Sequence, residues 1–145
     1  MNKDLIKKIR QFNRYYTIWL DVMNKEYLGT IFSWPESRVL FEIYTNQGIH
    51  ATELCEHLNM DKSYVSRILA KLEKKGFITR KLVSGSKGIK KLYLTNAGSE
   101  EAKKIDRNGE KQINEKLKNM DKEDCDRLCE AMVLIENILR KNDEK

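Results

Sequence analysis

Apolar side chains recur along the first part of the chain in alternating steps of four and three residues. This spacing is typical of a helix that packs against other helices. The positions are Leu5, Ile9, Phe12, Tyr16, Trp19 and Met23. The pattern predicts a long helix over residues 4–27, which ends before Gly29.

Helix-start signals predict three helices in the middle of the chain. Ser33 is followed three residues later by Glu36, with Pro35 between them, which is the signature of a capped helix start. Thr52 is the predicted cap of a short second helix, and Asp61 is the predicted cap of a longer third one. The buried face predicted for the third helix consists of Val65, Ile68, Leu69 and Leu72.

The apolar spacing changes after Gly76, which is placed to end the third helix with a positive φ angle. Residues 77–81 and 90–94 are predicted strands. The serine- and glycine-rich residues 84–88 between them form a predicted hairpin tip.

Two further long helices complete the pattern, the first capped by Thr95 or Asn96 and the second by Asp121. Their predicted apolar positions are Ala97, Ile105, Ile113, Leu117 and Met120, then Leu128, Met132, Ile135 and Leu139. Three helices followed by a hairpin form a winged helix-turn-helix. We therefore predict a mainly α fold with a small β-hairpin wing, flanked by long N- and C-terminal helices.

The predicted organisation is a single domain over residues 1–145. The winged helix-turn-helix lobe covers residues 33–95, and the flanking helices at 1–30 and 96–145 carry more apolar positions than this small lobe can cover. A long uncovered apolar stripe would promote aggregation. We therefore expect the flanking helices to form a homodimer.

Composition narrows the class of protein. The chain has 145 residues, 34 % of them charged, with one proline and seven glycines. No apolar run approaches the roughly 20 residues of a membrane span, and MNKDLIKKIRQFN has no apolar signal-peptide core. We expect a helix-rich protein of the cytoplasm that does not associate with membranes.

Positive charge is concentrated in one segment. Residues 60–91 hold ten basic and two acidic residues, a net +8, whereas the whole chain carries +6. A polyanion is the expected partner, and nucleic acid is the commonest one. A solvated lysine-rich face without a ligand is the alternative.

The outer side of the helix that Asp61 begins is the candidate recognition surface. Small residues at 63, 66 and 70 would let the helix approach a groove floor, and Arg67 could bind guanine or a phosphate. Basic residues nearby would reach phosphates. The predicted DNA-binding residues are Lys62, Ser63, Tyr64, Ser66, Arg67, Lys71, Lys74, Arg80, Lys87, Lys90 and Lys91.

The stretch LNMDKSYVSRILAKLEKKGFITR, followed by LTNAG at residues 94–98, resembles the MarR family of bacterial transcription regulators. The N-terminal IRQFNRYYTIWL and FSWPESRVLFEIY are also similar to the regulator half of MarR–acetyltransferase fusions, but no acetyltransferase half follows. The resemblance implies a homodimer with interleaved terminal helices. It also implies a roughly palindromic DNA operator, usually bound as a repressor.

The chain departs from this family at the wing tip. Members commonly carry Asp-x-Arg there, and the arginine enters the minor groove. Ser86 and Gly88 occupy these positions here, with Lys87 between them. Lysine is a poorer probe of a narrow groove than arginine, so minor-groove reading is in doubt and the wing lysines are expected to contact phosphates.

The resemblance also implies a small aromatic effector, bound between the DNA-binding lobe and the dimer helices. The candidate lining residues are Phe12, Tyr15, Tyr16, Trp19 and Trp34. Aromatic side chains at helical spacing more commonly form a hydrophobic core, and that alternative stays open.

The remaining chemistry-bearing residues do not indicate a reactive site. Cys55, Cys125 and Cys129 are expected to be packing residues rather than redox or metal-binding thiols. His50 and His57 have no recognisable ligand spacing. The sequence has no phosphate-binding glycine loop, nucleophile elbow or His-based pair. We expect no metal, no cofactor and no enzymatic activity.

Two hypotheses from different classes remain. The first is a homodimeric, sequence-specific DNA-binding transcriptional regulator, a repressor that a small-molecule effector releases. The alternative is a winged-helix protein-interaction module, or the remnant regulator half of an acetyltransferase fusion with weak DNA binding. The +8 segment favours the first.

Overall fold

The computed structural model describes residues 1–144, which fall into two compact units divided after Gly109. The elements, in chain order, are α1 (Lys3–Trp19), a short 3₁₀ turn (Tyr27–Gly29), α2 (Trp34–Thr45), β1 (Ile49–His50), α3 (Ala51–Leu58), α4 (Lys62–Lys74), β2 (Ile78–Leu82), β3 (Lys90–Leu94), α5 (Asn96–Leu117) and α6 (Lys122–Asp143). The predicted fold class, mainly α with a small β-hairpin wing, is confirmed. Within the described residues, no helix is both long and apolar enough to span a bilayer.

Local capping signals set the helix starts. The Ser33 backbone N–H donates to Glu36 Oε1 at 2.9 Å, while the Glu36 N–H donates to Ser33 Oγ at 3.3 Å. Asp61 accepts from the backbone N–H of Tyr64 at the start of α4. Asp121 caps α6 in the same way. These three predicted caps are confirmed.

The sheet has three antiparallel strands in the order β1-β3-β2. The hairpin pairs Ile78 with Leu94 and Leu82 with Lys90, so β3 has its predicted bounds and β2 begins one residue later than predicted. The third strand, β1, was not predicted. It pairs Ile49 with Leu92, and its two residues are too few to carry a period.

The prediction of a first helix over residues 4–27 is wrong at its C-terminal end. Helix α1 stops at Trp19, because Asp21 adopts a left-handed backbone conformation with φ 59°. The chain then folds back, and the Tyr27 N–H donates to Phe32 O at 2.7 Å. Met23 continues the apolar rhythm but is 76 % exposed. The spacing alone could not show that the helix had ended.

The cap predicted for α3 is also wrong. Helix α3 begins at Ala51, with His50 rather than Thr52 in the capping position. Glu53 Oε1 accepts from the His50 N–H at 3.2 Å, and His50 also belongs to β1. The start of this helix is therefore set by pairing in the sheet as well as by its local sequence.

Thr95 begins α5 and joins it to the hairpin. Its hydroxyl donates to Gly76 O at 2.6 Å and accepts from the Gly98 N–H at 3.1 Å. A Cβ atom on Gly98 would lie 2.0 Å from Phe77 O, so only glycine fits there. Ala97, one of the predicted apolar positions, is exposed, and the buried face of α5 is formed by Gly98, Ala102 and Ile105.

The hydrophobic core lies in the first unit. It draws on α2, α3, α4, the sheet and the start of α5. Its residues are Phe32, Val39, Leu40, Ile43, Ile49, Leu54, Cys55, Val65, Ile68, Leu69, Leu72, Ile78, Leu92, Ala102 and Ile105. By contrast, neither α1 nor α6 buries a single residue.

Candidate nucleic-acid interface

Helix α4 has one buried and one exposed side. Its buried residues are the four predicted ones, Val65, Ile68, Leu69 and Leu72, so the orientation of the helix is confirmed. The opposite side is open to solvent and includes a tyrosine, an arginine, a lysine and small residues. The exposed residues there are Lys62, Ser63, Tyr64, Ser66, Arg67 and Ala70.

Tyr64 and Arg67 contact each other on this exposed side. The Arg67 Cζ atom lies 5.6 Å from the centroid of the Tyr64 ring, a distance at which the ring attracts a guanidinium cation. The Tyr64 backbone is held by its N–H bond to Asp61 Oδ2, 3.2 Å long. This carboxylate also competes with any anion for the amide groups at the start of α4.

Lys71 connects α4 to the start of α2. Its Nζ atom lies 2.7 Å from Glu36 Oε2, and the Glu36 side chain is only 9 % exposed. Burial raises the pKa of Glu36, but hydrogen bonds from Lys71 and Ser33 outweigh it and leave the pKa below its ordinary value. Glu36 was predicted only as part of a helix cap, because no local signal relates residues 36 and 71.

Arg80 also forms an ion pair within the protein. Its Nε atom lies 3.4 Å from Glu73 Oε2, and its side chain is 24 % exposed. The pair links the last turn of α4 to β2 across the turn at Gly76. A phosphate contact by Arg80 therefore remains a prediction, and it would compete with Glu73.

The hairpin presents three predicted lysines to solvent, Lys87, Lys90 and Lys91. Its tip is closed by the Ser86 hydroxyl, which donates to Val83 O at 2.7 Å. Gly88 has φ 84°, a conformation that L side chains rarely adopt, so the family arginine would be strained at this position.

Sequence reasoning missed Lys81. It lies directly opposite Lys91 in the hairpin, and its Nζ atom is 4.9 Å from the centroid of the Tyr93 ring. His50 lies opposite Lys91 on the other side, in β1. Cross-strand residues share a face of the sheet, so the two lysines and the histidine form one row. The alternation of side chains along β2 and β3 could have indicated that Lys81 lies in this row. The strand β1 is too short to give such a signal for His50.

Comparison with known proteins shows which family part of this lobe is similar to. Residues 32–82 match the MarR family. An uncharacterised HTH-type transcriptional regulator of Bacillus subtilis, YybA, is 37 % identical over 71 residues, which are 49 % of this chain and 47 % of the relative. The match thus spans about half of that relative's length.

Solved structures share the fold over nearly the whole chain. A Staphylococcus aureus MarR in complex with salicylate and kanamycin has a TM-score of 0.77, with 19 % identity over 96 % of this chain and 95 % of its own. A putative MarR family transcriptional regulator of Listeria monocytogenes, complexed with a 26mer DNA, has a TM-score of 0.71 and 24 % identity, and the alignment covers 92 % of this chain and 89 % of that one. The winged-helix MarR fold is therefore shown.

Outside the segment that matches the MarR family, α1 brings three of the five candidate effector residues together. The ring centroids of Phe12 and Tyr16 are 5.4 Å apart, and those of Tyr16 and Trp19 are 5.6 Å apart, with nearly parallel planes. Tyr15 is 68 % exposed and lies outside the stack, and Trp34 is 37 % exposed at the start of α2. An effector site at these residues stays a prediction.

The cysteines differ in their surroundings. Cys55 is buried in the core, which confirms it as a packing residue. Cys125 is half-buried, whereas Cys129 is exposed, so the prediction that Cys129 is a packing residue is wrong within residues 1–144. No group of three or more candidate metal ligands occurs within residues 1–144.

Proposed function

We propose that this protein is a sequence-specific regulator of transcription that binds double-stranded DNA. The observation that carries the proposal is the exposed side of α4, where Lys62, Ser63, Ser66 and Arg67 are open to solvent opposite a packed inner side. A helix placed in this way can enter a major groove, with the residues of its first turn nearest the base edges.

Charge supports a duplex as the partner. The excess positive charge of the chain lies in residues 60–91, which include both α4 and the hairpin. Lys62 and Lys74 on the helix, and the exposed lysines of the hairpin, would neutralise phosphates and release their counterions. Affinity therefore falls steeply as the salt concentration rises.

The protein acts as a homodimer on a palindromic operator. The proposal is supported by the apolar residues that α1 and α6 leave exposed in one chain, since a second copy would cover them. They include Leu5, Ile9, Phe12, Val133, Leu134, Ile138 and Leu139. Residues 1–30 and 96–145 thus supply dimerisation helices around the lobe at 33–95. Two recognition helices would then lie about 34 Å apart, or a multiple of that.

The regulator acts as a repressor that a small aromatic molecule releases. Two observations support this part: the stack of Phe12, Tyr16 and Trp19, and the salicylate complex of the Staphylococcus aureus protein. Titration with salicylate, with DNA affinity as the readout, tests it. Affinity should fall as salicylate rises, and the Tyr16→Ala variant should lose this response.

Exposed apolar residues on the hairpin favour a second candidate, a protein-interaction module. Leu82 is 63 % exposed and Ile89 is 51 % exposed, and both lie near the wing tip. Hydrophobic residues of this kind suit a protein surface better than a phosphate backbone.

Selection of bound duplexes from a random pool separates the candidates. The wild type should enrich one motif with two half-sites about one DNA turn apart. Arg67→Ala should lose about 1–3 kcal/mol of binding free energy and relax the base preference. Arg127→Ala, an exposed arginine of α6, is the matched control and should select the wild-type motif. A pool that shows no enrichment with the wild type would favour the protein-interaction module.

A further inference from the structure

The basic segment 60–91 contains two arginines, which differ in their exposure and in their ion pairing. Arg80 is largely covered and pairs with Glu73. Arg67 is exposed, and no ion pair engages it among residues 1–144. Bidentate recognition of guanine requires the planar fork of an uncommitted guanidinium group. In this segment, Arg67 is therefore the arginine that is available to recognise guanine.

An exposed arginine side chain is flexible, but the Tyr64 ring restricts this one. The two residues are three positions apart and lie on the same side of α4. The guanidinium carbon lies 5.6 Å from the ring centroid. The backbone from which the ring extends is held at the helix start, because the Tyr64 N–H donates to the capping carboxylate of Asp61.

We propose that Tyr64 is a positioning residue for base recognition. Its ring holds the Arg67 guanidinium in the orientation that reads one base pair in each half-site. This inference rests on the proposed DNA-binding function and identifies the pair of residues that sets its specificity. Preorganisation of this kind strengthens the correct contact, because less side-chain freedom is lost on binding.

The ring, rather than the hydroxyl group, performs this role. The Tyr64 hydroxyl makes no hydrogen bond within the described part of the chain. Phenylalanine would keep the ring over which Arg67 lies, whereas leucine would keep only apolar bulk. Tyr64 is 39 % exposed, so both substitutions should leave the fold intact.

The test compares full-length wild type with Tyr64→Phe, Tyr64→Leu, Arg67→Ala and Arg67→Lys. Each protein is bound to the duplex that the wild type selects and to all its single-base replacements. Tyr64→Phe should keep the wild-type base preference. Tyr64→Leu should reduce the preference about two- to fivefold, and only at the base pair that Arg67→Ala affects. Arg67→Lys should lose the same preference although it keeps the charge.

A double variant completes the test. Adding Tyr64→Leu to Arg67→Ala should cause no further loss, because the ring then has nothing to hold. The inference is overturned if Tyr64→Phe is as impaired as Tyr64→Leu, if the two single variants affect different base pairs, or if Tyr64→Leu keeps full preference. Should Tyr64→Leu unfold at a lower temperature than the wild type, Tyr64→Gln replaces it. A wild type without base preference overturns the proposed function, and this inference with it.

Discussion

The winged lobe and the terminal helices differ in how far one chain buries their apolar side chains. In the lobe, Leu40, Ile43, Leu54 and Leu72 are completely buried by residues of the same chain. In α6, Leu134 is 60 % exposed and Leu139 is 59 % exposed. The core of the lobe, which Phe32 and the start of α5 complete, is therefore closed within one chain, whereas the terminal helices carry an apolar face that one chain leaves open.

This contrast relates sequence to function. The heptad spacing of α1 and α6 predicts helices with an apolar face, and the number of their apolar positions led to the prediction that a second copy covers that face. In the lobe, the inner side of α4 is fixed by the core, so its outer side is held rigidly toward solvent. A rigid helix with an open outer side can recognise a ligand reproducibly, and we expect the terminal helices to set the spacing between two such helices.

The largest expected effect is on the free energy of unfolding, which should respond differently to substitutions in the lobe and in α6. Leu40→Ala should lower the free energy of unfolding by about 2–5 kcal/mol, because it leaves a cavity in a closed core. The loss should not depend on protein concentration. Leu134→Ala should instead change stability in a manner that depends on concentration, since the partner proposed for this residue is a second chain. Denaturant unfolding at two protein concentrations measures both.

The contact between α5 and the hairpin should show the next largest effect. Gly98→Ala should cost about 1–3 kcal/mol, because the new methyl group would collide with Phe77 O. Gly109→Ala in the same helix is the matched control. Its Cβ atom would meet only Leu28 Cδ1, at 3.7 Å, and alanine favours helix by about 1 kcal/mol. Equal effects from the two variants would contradict the close approach at Gly98.

The ion pair between Glu36 and Lys71 should contribute less and should depend on pH. Folding lowers the pKa of Glu36 from its ordinary 4.5, so its stabilising effect is present above that pH and is lost as the pH falls through the lowered value. Glu36→Gln should remove about 1 kcal/mol at pH 7 and flatten the acid decline in stability. Glu136→Gln, which removes one partner of an exposed ion pair in α6, should change neither the stability at pH 7 nor its decline in acid. Thermal unfolding from about pH 3 to about pH 7 would measure both variants.

The smallest effect is expected at the wing. Lys87→Ala should weaken binding about equally for all duplex sequences, and it should reduce the slope of log affinity against log salt by about one. Lys122→Ala, on α6, should leave this slope unchanged. A loss confined to one base pair of the operator would instead show that Lys87 reads sequence.

Local chemistry explains which parts of the fold could be predicted. The starts of α2 and α4 follow from Ser33, Glu36 and Asp61, because a cap forms between residues three apart. The end of α1 and the strand β1 depend on distant partners. Tyr27 bonds across a loop to Phe32, and Ile49 pairs with Leu92. Neither partner could be identified from a periodic pattern.

The candidate interface shows the same limit. The exposed side of α4 follows from its period, and the contact between Tyr64 and Arg67 follows from their three-residue spacing. The pairing of Lys71 with Glu36 could not be predicted, since α2 and α4 meet only in the folded chain. Sequence therefore indicates which cations face outward, but the fold decides which of them are already paired.

Lysine acetylation of the full-length protein, with and without the selected duplex, tests the interface most directly. DNA should protect Lys62, Lys87 and Lys90, which lie on the recognition helix and the hairpin. Lys122, whose side chain is 89 % exposed on α6, should react equally in both conditions. Protection of Lys122 without protection of the other three, or no protection anywhere at low salt, would contradict the assignment of the DNA-binding surface.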